Sequence, residues 1–332
     1  MLMNPHIRFA RLGDCPQMIE LYRPYIEESA ISFETETPTI QEFSDRFQRI
    51  TERYPWLVFE KSGEILGYAY GASHRARAAY DWSCEVTVYV RKNHHRQGIG
   101  QALYKMLFPL LEAQDFCNLY AGVTQPNLGS DRIHKSLGFQ ELGTFKNVGY
   151  KFSQWYDVSW YQMELKRPQK PTTPVSIDDL FQNIRVEAID PRHAFVSRSV
   201  DALDEYLSKL YPAEENHLDS PTVYEGPNNQ LVAAYAKDLH LGIGGVKLRD
   251  DYGEIKRMWI HPLFRGRGVS SQILHRLEAI TREAGLNLCR LETGVHQKEA
   301  LRLYEKAGYS RTSSFGNYKT TPFSVFFEKR LL

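Results

Sequence analysis

The 332-residue sequence has no surplus of either charge. Forty-one basic side chains stand against forty acidic ones, a formal net charge of +1. Nothing therefore draws the whole chain to nucleic acid or to an anionic membrane, and any anion site has to be local. Cysteine is scarce: Cys15, Cys84, Cys117 and Cys289 lie far apart. They lack the paired spacing of a metal site and read as reduced thiols, so no metal is expected. The opening MLMNPHIRFAR has no apolar signal segment, and no uninterrupted apolar run approaches the roughly 20 residues of a membrane span. The expectation is a soluble protein of the cytoplasm. Two phosphate-binding signatures are also missing: G-x-G-x-x-G and a glycine loop closing on G-K-[ST], which lowers dinucleotide and P-loop readings.

What is present centres on CEVTVYVRKNHHRQGIGQALYKMLFPLLE, Cys84 to Glu112. Glu85, Thr87 and Tyr89 alternate with Val86, Val88 and Val90, so a polar set and an aliphatic set face opposite sides of a strand. The basic turn His95-Arg96-Gln97-Gly98-Ile99-Gly100-Gln101 leads straight into an amphipathic helix. Glycines let backbone come close to a ligand, and a helix N-terminus offers free N–H groups and a favourable dipole to an anion. The device recurs in EIKRMWIHPLFRGRGVSSQILHRLEA, Glu254 to Ala279, with Arg265, Gly266, Arg267 and Gly268 in the turn. Setting Gly98 on Gly268 puts Tyr89 on Trp259, Val90 on Ile260 and Gly100 on Ser270, and KSLGF at 135–139 meets EKAGY at 305–309. A repeat at a period of about 170 residues is a duplicated domain.

The order of elements supports this. Strands at 7–12, 56–60 and 65–72, a turn at Ser62-Gly63, and helices at 14–29 and after Pro38 precede the central unit. A strand at 119–124, a helix at 127–137 and strands near 139–148 and 158–165 follow. The arrangement is α+β: a mixed, mostly antiparallel sheet flanked by helices. RPQKPTTP, Arg167 to Pro174, has three prolines and no apolar face, so residues 167–183 read as a stiff linker between domains at 1–166 and 184–332. The second domain is expected to have strands at 184–188, 231–236, 241–248, 287–292 and 323–329 and helices at 199–210 and 298–307. Residues 211–230 receive no assignment.

These turns and the later Gly-Phe and Gly-Tyr endings resemble two GNAT-superfamily acetyltransferase domains in tandem. The first is similar to the phosphinothricin acetyltransferase group through RYPWLVFE, AYDWSCEVTVYV, LEAQDF, RIHKSLGF and VGYKFSQWYDVSWYQMEL; the second resembles another GNAT branch through GEIKRMWIHPLFRGRG, LETG and ALRLYEKAGY. The resemblance implies acetyl-CoA as donor. Its pyrophosphate would meet backbone amides from about Gln97 to Gln101, with Val88, Val90, His95, Arg96, Gly98, Gly100 and Asn127 around it. In the second domain Ile260, Arg265, Gly266, Arg267, Gly268 and Ser270 take these places. His95 departs from the Gln or Arg usual in the motif.

For chemistry, the resemblance implies Glu85 as the base that frees an α-amino nitrogen, against the alternative of a strand carboxylate paired to an arginine. His134 is implied as a proton-exchanging partner of the thiolate or the amine, and Tyr304, four residues before Gly308 as His134 is before Gly138, as a general acid. The alternatives are a hydrogen-bonded structural histidine and an aromatic packed at the core edge beside Ala300, Leu303 and Ala307. Arg75 and Arg77 suit a carboxylate or phosphinate, and Phe33, Thr87 and Tyr89 are candidates for the acceptor wall. Glu254 falls one residue out of step with Glu85, so only a bulge would bring it to the same face. The implied acceptor is a small L-amino acid or analogue of the phosphinothricin or methionine sulfone kind. The two domains are expected to stand in for the homodimer of the phosphinothricin group.

Overall fold

The computed structural model describes residues 6–212 and 220–331. It divides into two compact units, residues 1–182 and 183–332, each with one seven-stranded sheet.

The first unit runs β1 (His6–Phe9), α1 (Cys15–Glu27), α2 (Ile40–Thr51), β2 (Trp56–Lys61), β3 (Glu64–Ser73), β4 (Ser83–Val90), α3 (Ile99–Ala113), β5 (Asn118–Thr124), α4 (Leu128–Ser136), β6 (Gln140–Lys151), β7 (Gln154–Glu164) and α5 (Ile177–Gln182). Local chemistry sets these bounds. The Thr39 hydroxyl accepts from the Glu42 amide, whose carboxylate accepts in return from the Thr39 amide at 2.8 Å. That capping box starts α2. Its Phe43 and Phe47 then close on Trp56, with ring centroids at 5.9 and 5.2 Å. Ser62 and Gly63 both have positive φ, 54° and 84°, the requirement of the tight turn between β2 and β3.

The sheet order is β1-β2-β3-β4-β5-β7-β6, antiparallel except where α3 carries the chain over from β4 to a parallel β5. That pairing covers only Ser83, Cys84 and Glu85 against Asn118, Leu119 and Tyr120. Beyond Glu85 the two strands part, and the β5-facing edge of β4 is left without a ladder partner among the described residues.

The second unit repeats this with β8 (Ile184–Ala188), α6 (Ala194–Ser208), β9 (Asn229–Ala236), β10 (Leu239–Leu248), β11 (Gly253–Ile260), α7 (Val269–Glu283), β12 (Leu288–Gly294), α8 (Lys298–Lys306), β13 (Ser310–Thr312) and β14 (Ser324–Arg330). The sheet order is β13-β14-β12-β11-β10-β9-β8, and again only three residues of β11 pair in parallel, Gly253 to Ile255 with Cys289 to Leu291.

Three expectations need correction. The boundary falls after Gln182, not at Lys166. The proline-bearing segment is fastened to the first unit, because Trp82 Nε1 donates to the Thr172 carbonyl at 2.7 Å and Gln114 Nε2 to that of Val175 at 2.8 Å. Ile177, Leu180 and Phe181 of α5 are buried, at the i, i+3, i+4 spacing of a helix face. Helix α6 starts five residues earlier than expected because the His193 ring accepts from the Phe195 amide and caps it. Of the unassigned stretch, Pro221–Glu225 is a 3-10 turn, while residues 213–219 lie outside the described residues.

Candidate functional site

Each unit brings a glycine turn to the mouth of its parted strands. Gly98 and Gly268 are the N-caps of α3 and α7, with φ of 79° and 77°, and neither helix has a side-chain cap. A β-carbon at either glycine would meet nothing within 4 Å. These are open, left-handed positions over uncapped N–H groups, which fits a bound diphosphate. Arg96 shares the left-handed conformation of its counterpart Gly266, with φ of 61° and 79°. Gly100 is packed on its Cα side: a β-carbon there would lie 3.0 Å from Ile133 Cδ1 and 3.6 Å from Val88 and Val90. Its bareness lets α3 settle on α4 and β4.

His95 and Arg265 do the same local work with different chemistry. His95 Nε2 donates to the Val90 carbonyl at 3.0 Å and meets Tyr25 Oη at 2.7 Å; Arg265 Nε donates to the equivalent Ile260 carbonyl at 3.2 Å. Both pin the strand end from which the turn departs. The Asn127 oxygen accepts from the Ser130 amide and caps α4.

In the first unit, Glu85 lies on β4 at the last paired position before the strands part, with its carboxylate 35% exposed. Burial pushes its pKa up, while the hydrogen bond and charge of His74 and the charge of Arg75 pull it down. His74 Nδ1 donates to Glu85 Oε1 at 2.9 Å, and its ring stacks on Tyr120 at 4.4 Å. Arg75 and Arg77 are exposed on the same loop, and neither guanidinium has a hydrogen-bond partner among the described residues. Thr87 shares the Glu85 face. Phe33 lies against Gly149 of β6, where a β-carbon would be 2.2 Å from its Cζ. Tyr89 belongs to a core-edge cluster with Tyr22, Tyr25 and Tyr68, at centroid distances of 4.7, 5.0 and 5.6 Å.

His134 is 3% exposed, boxed by Tyr104, Phe139 and Tyr161. Its Nδ1 donates to the Ser130 carbonyl at 2.8 Å, which fixes the neutral tautomer, and burial pushes its pKa down. Nε2 is buried without a partner. It can accept a proton or a hydrogen bond, but it has no proton to give a departing thiolate.

In the second unit, Arg257 takes φ of 57°, and the pairing of β11 with β10 skips there, so that Arg257 and Met258 together oppose Gly244. This is a β-bulge. It restores the phase lost in the gapless comparison: Glu254 pairs with Arg290 as Glu85 pairs with Tyr120. Glu254 is nevertheless occupied, accepting from Tyr318 Oη at 2.6 Å and from Arg249 at 2.9 Å. Tyr304 lines a cavity of about 480 Å³ that also touches Ile260, Gly266 and Ser270. Its hydroxyl has no hydrogen-bond partner among the described residues, and burial pushes its pKa well up.

Sequence reasoning missed two groups. His74 was hidden in an arginine-rich loop, though it stands two residues beyond the end of the apolar run of β3. Glu292, on the wall of the 480 Å³ cavity, falls on Gly122 in the repeat alignment, where a carboxylate replacing glycine was the available signal.

Comparison with known proteins agrees with this geometry. A profile for an acetyltransferase (GNAT) domain matches residues 7–160, and one for the acetyltransferase (GNAT) family matches residues 200–309. The phosphinothricin N-acetyltransferase of Streptomyces viridochromogenes is 42% identical over 172 residues, 51% of this chain and 94% of that protein. The L-methionine sulfoximine/L-methionine sulfone acetyltransferase of Salmonella typhimurium is 31% identical over 169 residues, 50% of this chain and 97% of the relative. Among solved structures, a phosphinothricin acetyltransferase from Sinorhizobium meliloti in complex with acetyl-CoA superposes with a TM-score of 0.50 at 30% identity, over 52% of this chain and 96% of that one. With a glycine turn beside parted strands in each half and a family match over each, the chain belongs to the GNAT acetyltransferases, as an N-acetyltransferase of two tandem GNAT domains whose first half is similar to phosphinothricin N-acetyltransferase.

Proposed function

We propose that the first unit moves an acetyl group from acetyl-CoA to the α-amino group of a small L-amino acid or analogue, of the phosphinothricin or methionine sulfone type, by direct attack in a ternary complex. The observation that carries this reading is Glu85: a carboxylate with a raised pKa, steadied by His74 and neighboured by the unpartnered Arg75, where β4 and β5 part. An α-amino group has a pKa of about 8, so a nearby carboxylate can take its proton directly or through one water. The nitrogen then bonds to the thioester carbon as the carbon–sulfur bond breaks. The guanidinium of Arg75 or Arg77 suits the acceptor's carboxylate or phosphinate. The parted edge of β4 offers backbone N–H groups to the acetyl oxygen.

An acyl-enzyme is disfavoured. Cys84, the thiol next to Glu85, is fully buried and burial pushes its pKa far up, whereas a nucleophilic cysteine needs an accessible thiolate.

The test is thiol release by the full chain with L-methionine sulfone, phosphinothricin, other L-amino acids, polyamines and arylalkylamines. Amino acid analogues as the best acceptors, with loss in Glu85→Gln, support the reading. Preference for another amine through Glu85 would move the acceptor class, and tight acetyl-CoA binding with no thiol release would make the chain a coenzyme sensor. The reading also includes the second unit replacing a partner subunit, for which light scattering should give the mass of one chain.

A further inference from the structure

We propose that the second unit is an acetyl-transfer centre in its own right, in which Glu292 takes the proton from a primary amine carried on an apolar or aromatic body. This rests on acetyl-CoA being the donor, as read above, and adds a second acceptor class and a second base.

Four observations converge. The turn at Gly266 and Gly268 is open and uncapped in the same way as that at Gly98, so the second unit has its own place for a diphosphate. The cavity of about 480 Å³ runs from that turn past Ile260 to Glu292 and Tyr304, which provides room for a thioester and an acceptor. Tyr304 lines that cavity and is 5% exposed, and its hydroxyl has no hydrogen-bond partner among the described residues. Glu292 bears on it electrostatically.

The two carboxylates at the parted strands differ in what holds them. Glu254, the register equivalent of Glu85, is tied to Arg249 and Tyr318, with Lys256 at 3.7 Å. Its lone pairs are engaged in a buried ion-pair cluster. Glu292 accepts one bond, from Ser324 Oγ at 2.7 Å, and has no ion pair among the described residues. The halves are therefore complementary: the first has a usable carboxylate on β4 and Gly122 on β5, and the second has its usable carboxylate on β12.

The apolar part of the cavity's lining decides the acceptor. Leu203, Tyr206 and Leu207 of α6 and Phe323 form it. Of the cations in the whole lining, Arg257 is paired with Asp204, Arg265 lies over Trp259 at 4.9 Å and Lys256 is 3.7 Å from Glu254, while Arg302 is an exposed side chain of α8. Leu203, Tyr206, Leu207 and Phe323 offer an apolar wall where the first unit offers Arg75 and Arg77, which suits an amine without a carboxylate. In the step itself the amine nitrogen bonds to the thioester carbon and the carbon–sulfur bond breaks. Glu292 receives the proton the nitrogen loses, and the Tyr304 hydroxyl protonates the leaving thiolate before regaining its proton through solvent from Glu292.

The experiment combines calorimetry of acetyl-CoA binding with thiol release, using 2-phenylethylamine and L-methionine sulfone, on the full chain and its Glu85→Gln and Glu292→Gln variants. Expected are two acetyl-CoA per chain in all three proteins. Glu85→Gln should lose methionine sulfone transfer at least 100-fold and keep phenylethylamine transfer, and Glu292→Gln should do the reverse. Glu292→Asp should retain two-site binding and recover part of the phenylethylamine rate, which separates lost chemistry from a lost fold. One acetyl-CoA per chain, loss of both activities in Glu85→Gln, or phenylethylamine transfer surviving Glu292→Gln would each overturn the proposal. Methionine sulfone transfer with no phenylethylamine transfer would overturn it while leaving the first unit's function intact. No thiol release from any amine would remove both.

Discussion

In the proposed reaction, Glu85 and His74 would set the pH at which the first centre works. Burial raises the Glu85 pKa and His74 opposes that rise. The base must be ionised, so the rate climbs as pH rises through this pKa. Replacing His74 by Phe keeps a ring against Tyr120 and removes the opposing influence, so the acidic limb of kcat/KM should move to higher pH. An unmoved or lowered limb would make His74 a packing residue. Glu85→Gln should lower kcat by about 10²–10⁴-fold, measured by thiol release. His134, buried and neutral, should show no ring titration between pH 7 and 9 by NMR; a midpoint in that range would restore it as a proton donor. The place of Glu85 on β4 was legible because strand alternation marks it. The tautomer of His134 was not, because it is fixed by a carbonyl one helical turn away.

At the level of elements, the proposed donor site rests on the two helix N-termini and the glycine before each. Gly98→Val would place a β-branched residue at a φ of 79°, at a strain of about 1–2 kcal/mol, with its side chain over the anion turn. Acetyl-CoA affinity should fall at least tenfold by calorimetry. Gly100→Val should behave oppositely, with overpacking against Ile133 costing about 1–3 kcal/mol in thermal unfolding and little direct change at the turn. If both glycines affected only stability, the turn would not be the anion site. The strands, the hairpin at Ser62-Gly63 and both turns were readable because period, turn chemistry and glycine position pointed the same way. The bulge was not, since Arg257 occupies the left-handed position where a glycine would have marked it. The start of α6 was hidden for a similar reason, its cap being a histidine.

For the whole molecule, the division after Gln182 makes a stability prediction. A chain ending at Gln182 keeps Ile177, Leu180 and Phe181 buried and the Trp82 and Gln114 clasps closed. One ending at Lys166 should be less stable by about 3–6 kcal/mol in urea unfolding, from lost apolar burial. Equal stability of the two would mean that the segment is only a tether. Three prolines within eight residues outweighed a six-residue helix in the reading of this stretch, because so short an apolar face carries little periodicity. The extra residue at Arg257 also governs how parts of the two halves can be exchanged. A chimera that transplants residues 83–87 into the second half by counting back from Gly268 would turn every side chain of the graft inside out. Counting from the parallel neighbour β12 would seat it correctly, so the duplicated halves are interchangeable by hydrogen-bond partner and not by column.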